Sequence, residues 1–309
     1  MAADPTGRNL ASRLRELATE ASVAPNARGL AAGVGGAAVA LGTGCGWRKA
    51  AGVGVASGAL QRALLAAEQR LLREIRNSAD AAALAAWLGH ATPPLGAWTI
   101  EPDFGRLIAI ELADAPETVV ECGSGATTLL IATFLRRNGR GRLVTLEHDR
   151  AFADRTRARL EAAGVADVCE IIWAPLVAQS VSGRAVRWYD RTTLARIPSP
   201  IELLVIDGPP MVDPWARWPA AAAFVDHLAP GAAILVDDGR RRAERQTVFR
   251  WRAEHPDLEL HWHDTVKGTW RLVKTSAAPD PGALVASYQR ARRTVNPRPA
   301  GYGRWPVQR

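Results

Sequence analysis

A chain of 309 residues, 48% of them hydrophobic, is long enough to bury one large core, although much of that fraction is Ala and Gly, which add little apolar area. Its net charge of +8 rests on arginine spread over nearly every segment, with lysine only at Lys49, Lys267 and Lys274. That spread argues against a nucleic-acid partner, whose reader gathers basic residues on one element among aromatics, and leaves an anionic membrane surface open.

The three cysteines, Cys45, Cys122 and Cys169, lie far apart without CxxC spacing. They indicate neither a disulfide framework nor a zinc site, and they fit a reducing, cytoplasmic setting.

Residues 1–28 form a polar N-terminal segment whose stretch NLASRLRELATEAS reads as a surface helix. From 29 to 61 the only charges are Arg48 and Lys49. That length suits a membrane span of about 20 apolar residues, but its Gly and Ala contribute little to insertion, so a membrane-associated segment and a flexible linker both stand. Residues 62–92 continue an amphipathic helical extension, with Leu60, Leu64, Leu71 and Ile75 at helical spacing among Arg and Glu. Such a helix either extends from a membrane segment or packs on its own protein, and the second is the expectation. The Pro-rich stretch HATPPLGAWTIEPDFG ends it.

Residues 93–275 form the main domain, and within it 101–275 alternate short apolar runs with amphipathic ones. Strands are expected at Thr118 to Glu121, Leu143 to Glu147, Val168 to Trp173, Leu203 to Asp207, Ala232 to Asp237, Leu258 to His263 and Thr269 to Lys274. Helices fill most of the intervals, which implies a parallel sheet covered on both faces. Only DTVKG separates the last two strands, too short for a helical crossover, so these form an antiparallel hairpin. Residues 276–309 are a basic tail with Pro and Gly and no apolar periodicity beyond a short helix, read as mobile.

In such sheets the ligand lies beyond the carboxyl ends of the strands. Those ends carry Glu121, Glu147, Asp207 and the pair Asp237 and Asp238. A buried carboxylate needs donors, so acids at four strand ends ask for a shared purpose. Gly123 and Gly125 allow a ligand to approach the backbone, and the helix opening near Thr127 offers free N–H groups to an anion. Glu147, 22 residues after Gly125, stands where a carboxylate grips the two hydroxyls of a ribose, and Trp173 or Ala174 would line an adenine slot.

The runs TVVECGSGATTLLIA, GRLVTLEHD, ELLVIDGPP and GAAILVDDG resemble, in order and spacing, the strand motifs of class I S-adenosylmethionine-dependent methyltransferases, most of all the small-molecule O-methyltransferase branch. The resemblance implies an α/β, Rossmann-like seven-stranded sheet in the order 3-2-1-4-5-7-6 with the seventh strand antiparallel. It implies S-adenosyl-L-methionine as cofactor, with Glu121, Gly123, Ser124, Gly125 and Thr127 around its methionine part, Glu147 at the ribose, His148 at the adenine edge, and Ala174 and Asp207 completing the cofactor set. Ala126 and Thr127 replace a third glycine found in many members.

Asp207, ending the fourth strand beside the methyl position, is the catalytic candidate, a proton acceptor for an acceptor hydroxyl. By resemblance to metal-dependent O-methyltransferases, Asp207, Asp237 and Asp238 would hold Mg2+; otherwise Asp237 and Asp238 cap the next helix or bind Arg240 and Arg241. The acceptor is expected to be a small molecule or glycan-like, with Trp188, Tyr189, Trp215 and Trp218 as aromatic loop residues that either close on it or pack the loops. His261, His263 and Lys267 are weaker candidates near the same rim. Two other functions remain: a nicotinamide-dependent oxidoreductase, disfavoured because GSGATT does not complete G-x-G-x-x-G, and a non-catalytic membrane-associated nucleotide-binding protein.

Overall fold

The computed structural model describes residues 47–88, 100–210 and 215–276. The polar segment 1–28, residues 29–46 of the apolar segment and the tail from 277 lie outside the described residues. In chain order the elements are α1 (Trp47–Leu88), α2 (Pro102–Leu112), β1 (Thr118–Cys122), α3 (Ala126–Asn138), β2 (Arg142–Glu147), α4 (Arg150–Ala162) and β3 (Cys169–Trp173). There follow β4 (Leu176–Val181), β5 (Arg184–Tyr189), α5 (Arg191–Leu194), β6 (Ile201–Ile206), α6 (Pro219–Phe224), β7 (Leu228–Val236), α7 (Arg242–Glu254), β8 (Leu258–His263) and β9 (Thr269–Lys274).

Seven strands form one sheet in the order β3, β2, β1, β6, β7, β9, β8, while β4 and β5 pair only with each other. With that hairpin set aside, the order is the expected 3-2-1-4-5-7-6. The strands from β3 to β7 run parallel, and β9 is antiparallel to both neighbours. Successive residues feed opposite cores. Val119, Leu143, Leu203, Val205 and Leu235 join Phe104, Ile108, Leu130 and Phe134 of α2 and α3. Val120, Val144, Leu204, Ile206 and Val236 join Phe224, Val248 and Trp251 of α6 and α7. A strand buried on both faces reads as a continuous apolar run, which is why IELLVI and AAILV show no polar alternation.

Helix α2 begins inside the Pro-rich stretch read as a helix-breaking joint. Pro102 suits its first turn, where no intrahelical N–H bond is lost. Asn77 completes that end: its Oδ1 accepts from Asp103 N at 2.9 Å and its Nδ2 donates to Glu101 Oε2 at 2.9 Å. The connection before β6, read as an aromatic loop, is the β4 and β5 hairpin. Its turn places Ser182 and Gly183 at positive φ, which matches the twist of a two-residue hairpin.

The chain divides into two units, Met1–Leu72 and Arg73–Arg309, and α1 spans their boundary. It starts inside the Gly/Ala-rich segment and continues without a break through the amphipathic extension. Its apolar stripe departs from expectation. Leu60, Leu64, Leu71 and Ile75 are each between 57% and 62% exposed among the described residues. The later turns reach the core through Leu84 and Leu88, with the Asp80 carboxylate 3.3 Å from Arg106 Nε. Among the described residues no helix is long and apolar enough to cross a membrane.

Leu84→Ala should therefore lower unfolding free energy by about 2–5 kcal/mol in a denaturant titration. Leu64→Ala should change it by less than about 0.5 kcal/mol.

Candidate active site

The site is built where β1, β2, β6 and β7 end. Cys122 O accepts from both Asp207 N and Gly208 N, and Gly123 N donates to Leu146 O at 2.9 Å. The loops after β1 and β6 thereby touch backbone to backbone. A Cβ on Gly123 would lie 2.9 Å from Gly208 Cα, and one on Gly208 would lie 2.7 Å from Gly123 Cα. Gly123 also has φ +90. Its glycine is demanded by the protein's own backbone and not only by room for a ligand.

Beneath the loop, Glu121 is wholly buried. Its Oε2 accepts from Thr128 Oγ1 at 2.6 Å and Thr145 Oγ1 at 2.8 Å, and Thr128 Oγ1 in turn accepts from Gly125 N at 2.8 Å. The acid thus holds the loop through a threonine relay, from below. Burial, aided by the charges of Asp207 and Glu147, pushes its carboxyl up to about 8 despite the threonine bonds. Thr127 is buried and Ser124 is partly exposed.

Glu147 ends β2 with its carboxylate fully engaged. Oε2 accepts from Ser124 N and Ser124 Oγ, both at 2.9 Å, while Oε1 accepts from Asp149 N at 2.9 Å and lies 2.8 Å from His148 Nδ1. Burial alone would raise this carboxyl, but these donors outweigh it and hold the group below its ordinary value. His148 is raised in return, chiefly by its bond to Glu147. Asp149 then caps α4 by accepting from Phe152 N at 2.8 Å. At the next strand end Ala174 is buried, and Trp173 is 44% exposed with Arg150 stacked on it at 5.4 Å.

Across the β1 loop, Asp207, Asp237 and Asp238 each bring one carboxylate oxygen within 4.8 Å of the others. Their side chains differ in access, at 27% for Asp207, 1% for Asp237 and 9% for Asp238. A residue that sequence inspection passed over sits among them. Arg217, 4% exposed, donates from Nη2 to Asp238 Oδ2 at 2.9 Å and to Asp207 O, and from Nη1 to Asp237 O at 2.9 Å. Burial alone would lower its pKa, but Asp207, Asp238, Glu244 and Asp237 raise it above the ordinary arginine value. Lys267, from the hairpin turn, puts Nζ 3.7 Å from Asp237 Oδ2. Burial and the neighbouring acids raise the Asp237 carboxyl, against Lys267.

This arrangement tests the expected magnesium site. The three acids are hard oxygen donors, and neither oxygen of Asp237 has a hydrogen bond. Yet Asp238 Oδ2 is already shared by Arg217 and, at 2.7 Å, Arg241. The cluster contains its own cations, so the residues do not fit a bare divalent site. The alternative pairing of Asp238 with Arg241 is present, whereas Arg240 binds Asp264 instead.

The strand-end acids therefore converge, and the aromatic candidates do not. Trp188, Tyr189 and Trp218 are core residues, and Trp215 is covered by Arg184 at 4.7 Å. His263 is held near a pKa of about 4 by burial and is neutral at physiological pH.

Glu121 gives a pH signature. The folded chain keeps its proton up to about pH 8 while the unfolded chain releases it near 4.5, so its contribution is full below 4.5 and is lost as pH rises through 8. Glu121→Gln should flatten that fall when denaturant midpoints are compared from pH 5 to 9.

A family model described as a methyltransferase domain matches residues 120–239. No curated protein matches the chain. Among solved structures, cofactor-bound Rv0187 from MTB is 23% identical with a TM-score of 0.47, over 64% of this chain and 90% of that one. The O-methyltransferase TomG from Streptomyces achromogenes, in complex with SAM, is 23% identical with a TM-score of 0.42, over 57% and 82%. The O-methyltransferase from Bacillus cereus, in complex with SAH, is 18% identical with a TM-score of 0.44, over 63% and 91%. The stretch from β1 to just past β7, which contains every strand-end acid of the site, is the part that matches a methyltransferase domain.

Proposed function

We propose that the chain transfers a methyl group from S-adenosyl-L-methionine to a hydroxyl of a small-molecule or glycan-like acceptor. The observation that carries this is the Gly123 to Gly125 loop beside the Glu147 carboxylate at adjacent strand ends, within residues that match a methyltransferase domain. Glu147 would accept from the ribose hydroxyls, with His148 and Ala174 bordering the adenine. Gly123, Ser124, Gly125 and Thr127 would line the methionine part, over the buried Glu121.

The cofactor supplies a methyl group on a positively charged sulfur. What the protein must add is alignment of the attacking oxygen and a place for its proton. Asp207 is the most exposed acid of the cluster and the one in reach of an acceptor. Burial, with the charge of Asp238, raises its carboxyl more than Arg217 and Lys267 lower it, which moves it toward the pH range where proton acceptance is effective.

Calorimetric titration with S-adenosylhomocysteine, with NAD as control, tests the cofactor. Binding of the former should weaken at least about tenfold in Glu147→Ala, since hydrogen bonds to a charged group are worth about 1.5–3 kcal/mol. Folded wild-type chain that binds no S-adenosylhomocysteine would sink the proposal.

Asp207→Asn should keep that binding and lower kcat about 10²- to 10⁴-fold in a labelled-methyl assay over a panel of hydroxyl acceptors. The pH limb of wild-type kcat should lie above the ordinary aspartate value and vanish in the variant.

A further inference from the structure

We propose that Arg217 is the resident cation of the Asp207, Asp237 and Asp238 cluster, and that the chain works without a divalent metal there. The inference concerns the cluster itself and does not depend on the methyl-transfer proposal.

The guanidinium touches every member of the cluster. It bonds Asp238 Oδ2 and the main-chain carbonyls of Asp207 and Asp237, and lies 3.7 Å from Asp207 Oδ1 and 3.8 Å from Glu244 Oε1. A planar group with five donors can bond carbonyls and carboxylates together in fixed directions. Charge is close to balanced as well. Asp207, Asp237, Asp238 and Glu244 face Arg217, Arg241 and Lys267.

A magnesium ion would need oxygens at about 2.0–2.1 Å in octahedral array, together with several waters. To enter, it would have to compete with two guanidinium groups for Asp238 Oδ2, or sit on the other oxygen beside them, in either case a dication next to a buried arginine. Removing the partner of a buried charge is strongly unfavourable. The backbone beside Arg217 is anchored. The next residue, Trp218, is buried in the core, and its carbonyl accepts from Trp251 Nε1 at 2.8 Å. Pro219 then opens α6.

The Asp237 carboxylate, which has no hydrogen bond and only Lys267 Nζ at 3.7 Å, is the feature that most favours an external ion, and it makes the inference testable. Removing the guanidinium while keeping the acids should create the site that the arginine now fills. The free Mn2+ signal in electron paramagnetic resonance reads this directly, using the metal alone on the full-length chain.

Wild type should bind no stoichiometric Mn2+. Arg217→Met should take up one Mn2+ per chain at least roughly tenfold more tightly. Arg217→Met combined with Asp237→Asn should lose it. A merely structural arginine would give no such gain.

One Mn2+ per wild-type chain, lost in Asp237→Asn, overturns the inference, as does a folded Arg217→Met chain that binds none. Should Arg217→Met not fold, the thermal midpoint of wild type in Mn2+ and in chelator decides. Equal midpoints support the inference, and a Mn2+-dependent rise abolished by Asp237→Asn overturns it. Titration of the same wild-type sample with S-adenosylhomocysteine separates the two proposals, because its failure removes the methyltransferase and leaves the Mn2+ outcome readable.

Discussion

The carbonyl of Cys122 accepts from two consecutive amides, Asp207 N and Gly208 N, at the point where β1 and β6 leave the sheet. With Gly123 N donating to Leu146 O, this stitches the ends of β2, β1 and β6 together through main-chain atoms alone. Side chains inherit their positions from that seam. Glu147 follows Leu146, Asp207 precedes Gly208, and Ser124 follows Gly123, so the two halves of the site are fixed relative to each other before any polar contact between side chains is made. The contact of Gly123 with Gly208 leaves no space for a Cβ on either. Part of the glycine signature is thus a requirement of the sheet, shared with whatever ligand lies above it.

Most of the sheet was legible in the sequence because its strands are buried on both faces and its turns are short. The parallel strands show as apolar runs, the DTVKG turn forces the antiparallel end, and Ala126–Asn138 coincides with the run ATTLLIATFLRRN. Strand starts were less readable. β7 begins at Leu228, not Ala232, because its first residues pair only loosely with β6 around an irregularity between Ile201 and Leu203. Periodicity also overstated the packing of α1, since an amphipathic stripe indicates what a helix can bury and not what lies beside it.

In the site, acids at strand ends were visible as positions, and their convergence followed from topology. Arg217 was not visible. Nothing in WARWPA marks an arginine as buried, because its burial depends on Asp207, Asp237, Asp238 and Glu244, which come from other elements. The same holds for much of the arginine in this chain. Arg271 of β9 makes a two-pronged bond to Glu111 of α2, at 2.6 and 3.0 Å, and Arg240 ties the α7 entry to Asp264 and the hairpin turn. Arginine here is in good part a cross-linker between elements.

Glu147 has a further consequence. A carboxylate offers about four lone-pair sites, of which Ser124 N, Ser124 Oγ and Asp149 N take three, with His148 Nδ1 2.8 Å from Oε1. On the proposed function, a diol arriving there would bond to an acceptor already held in place. The side chain has no rotational freedom left to surrender, and the ordering cost of up to about 1.5–2 kcal/mol for a free glutamate falls on folding instead of on binding. On the proposed function the strand end would be a rigid template, which lowers the entropic cost of binding a diol.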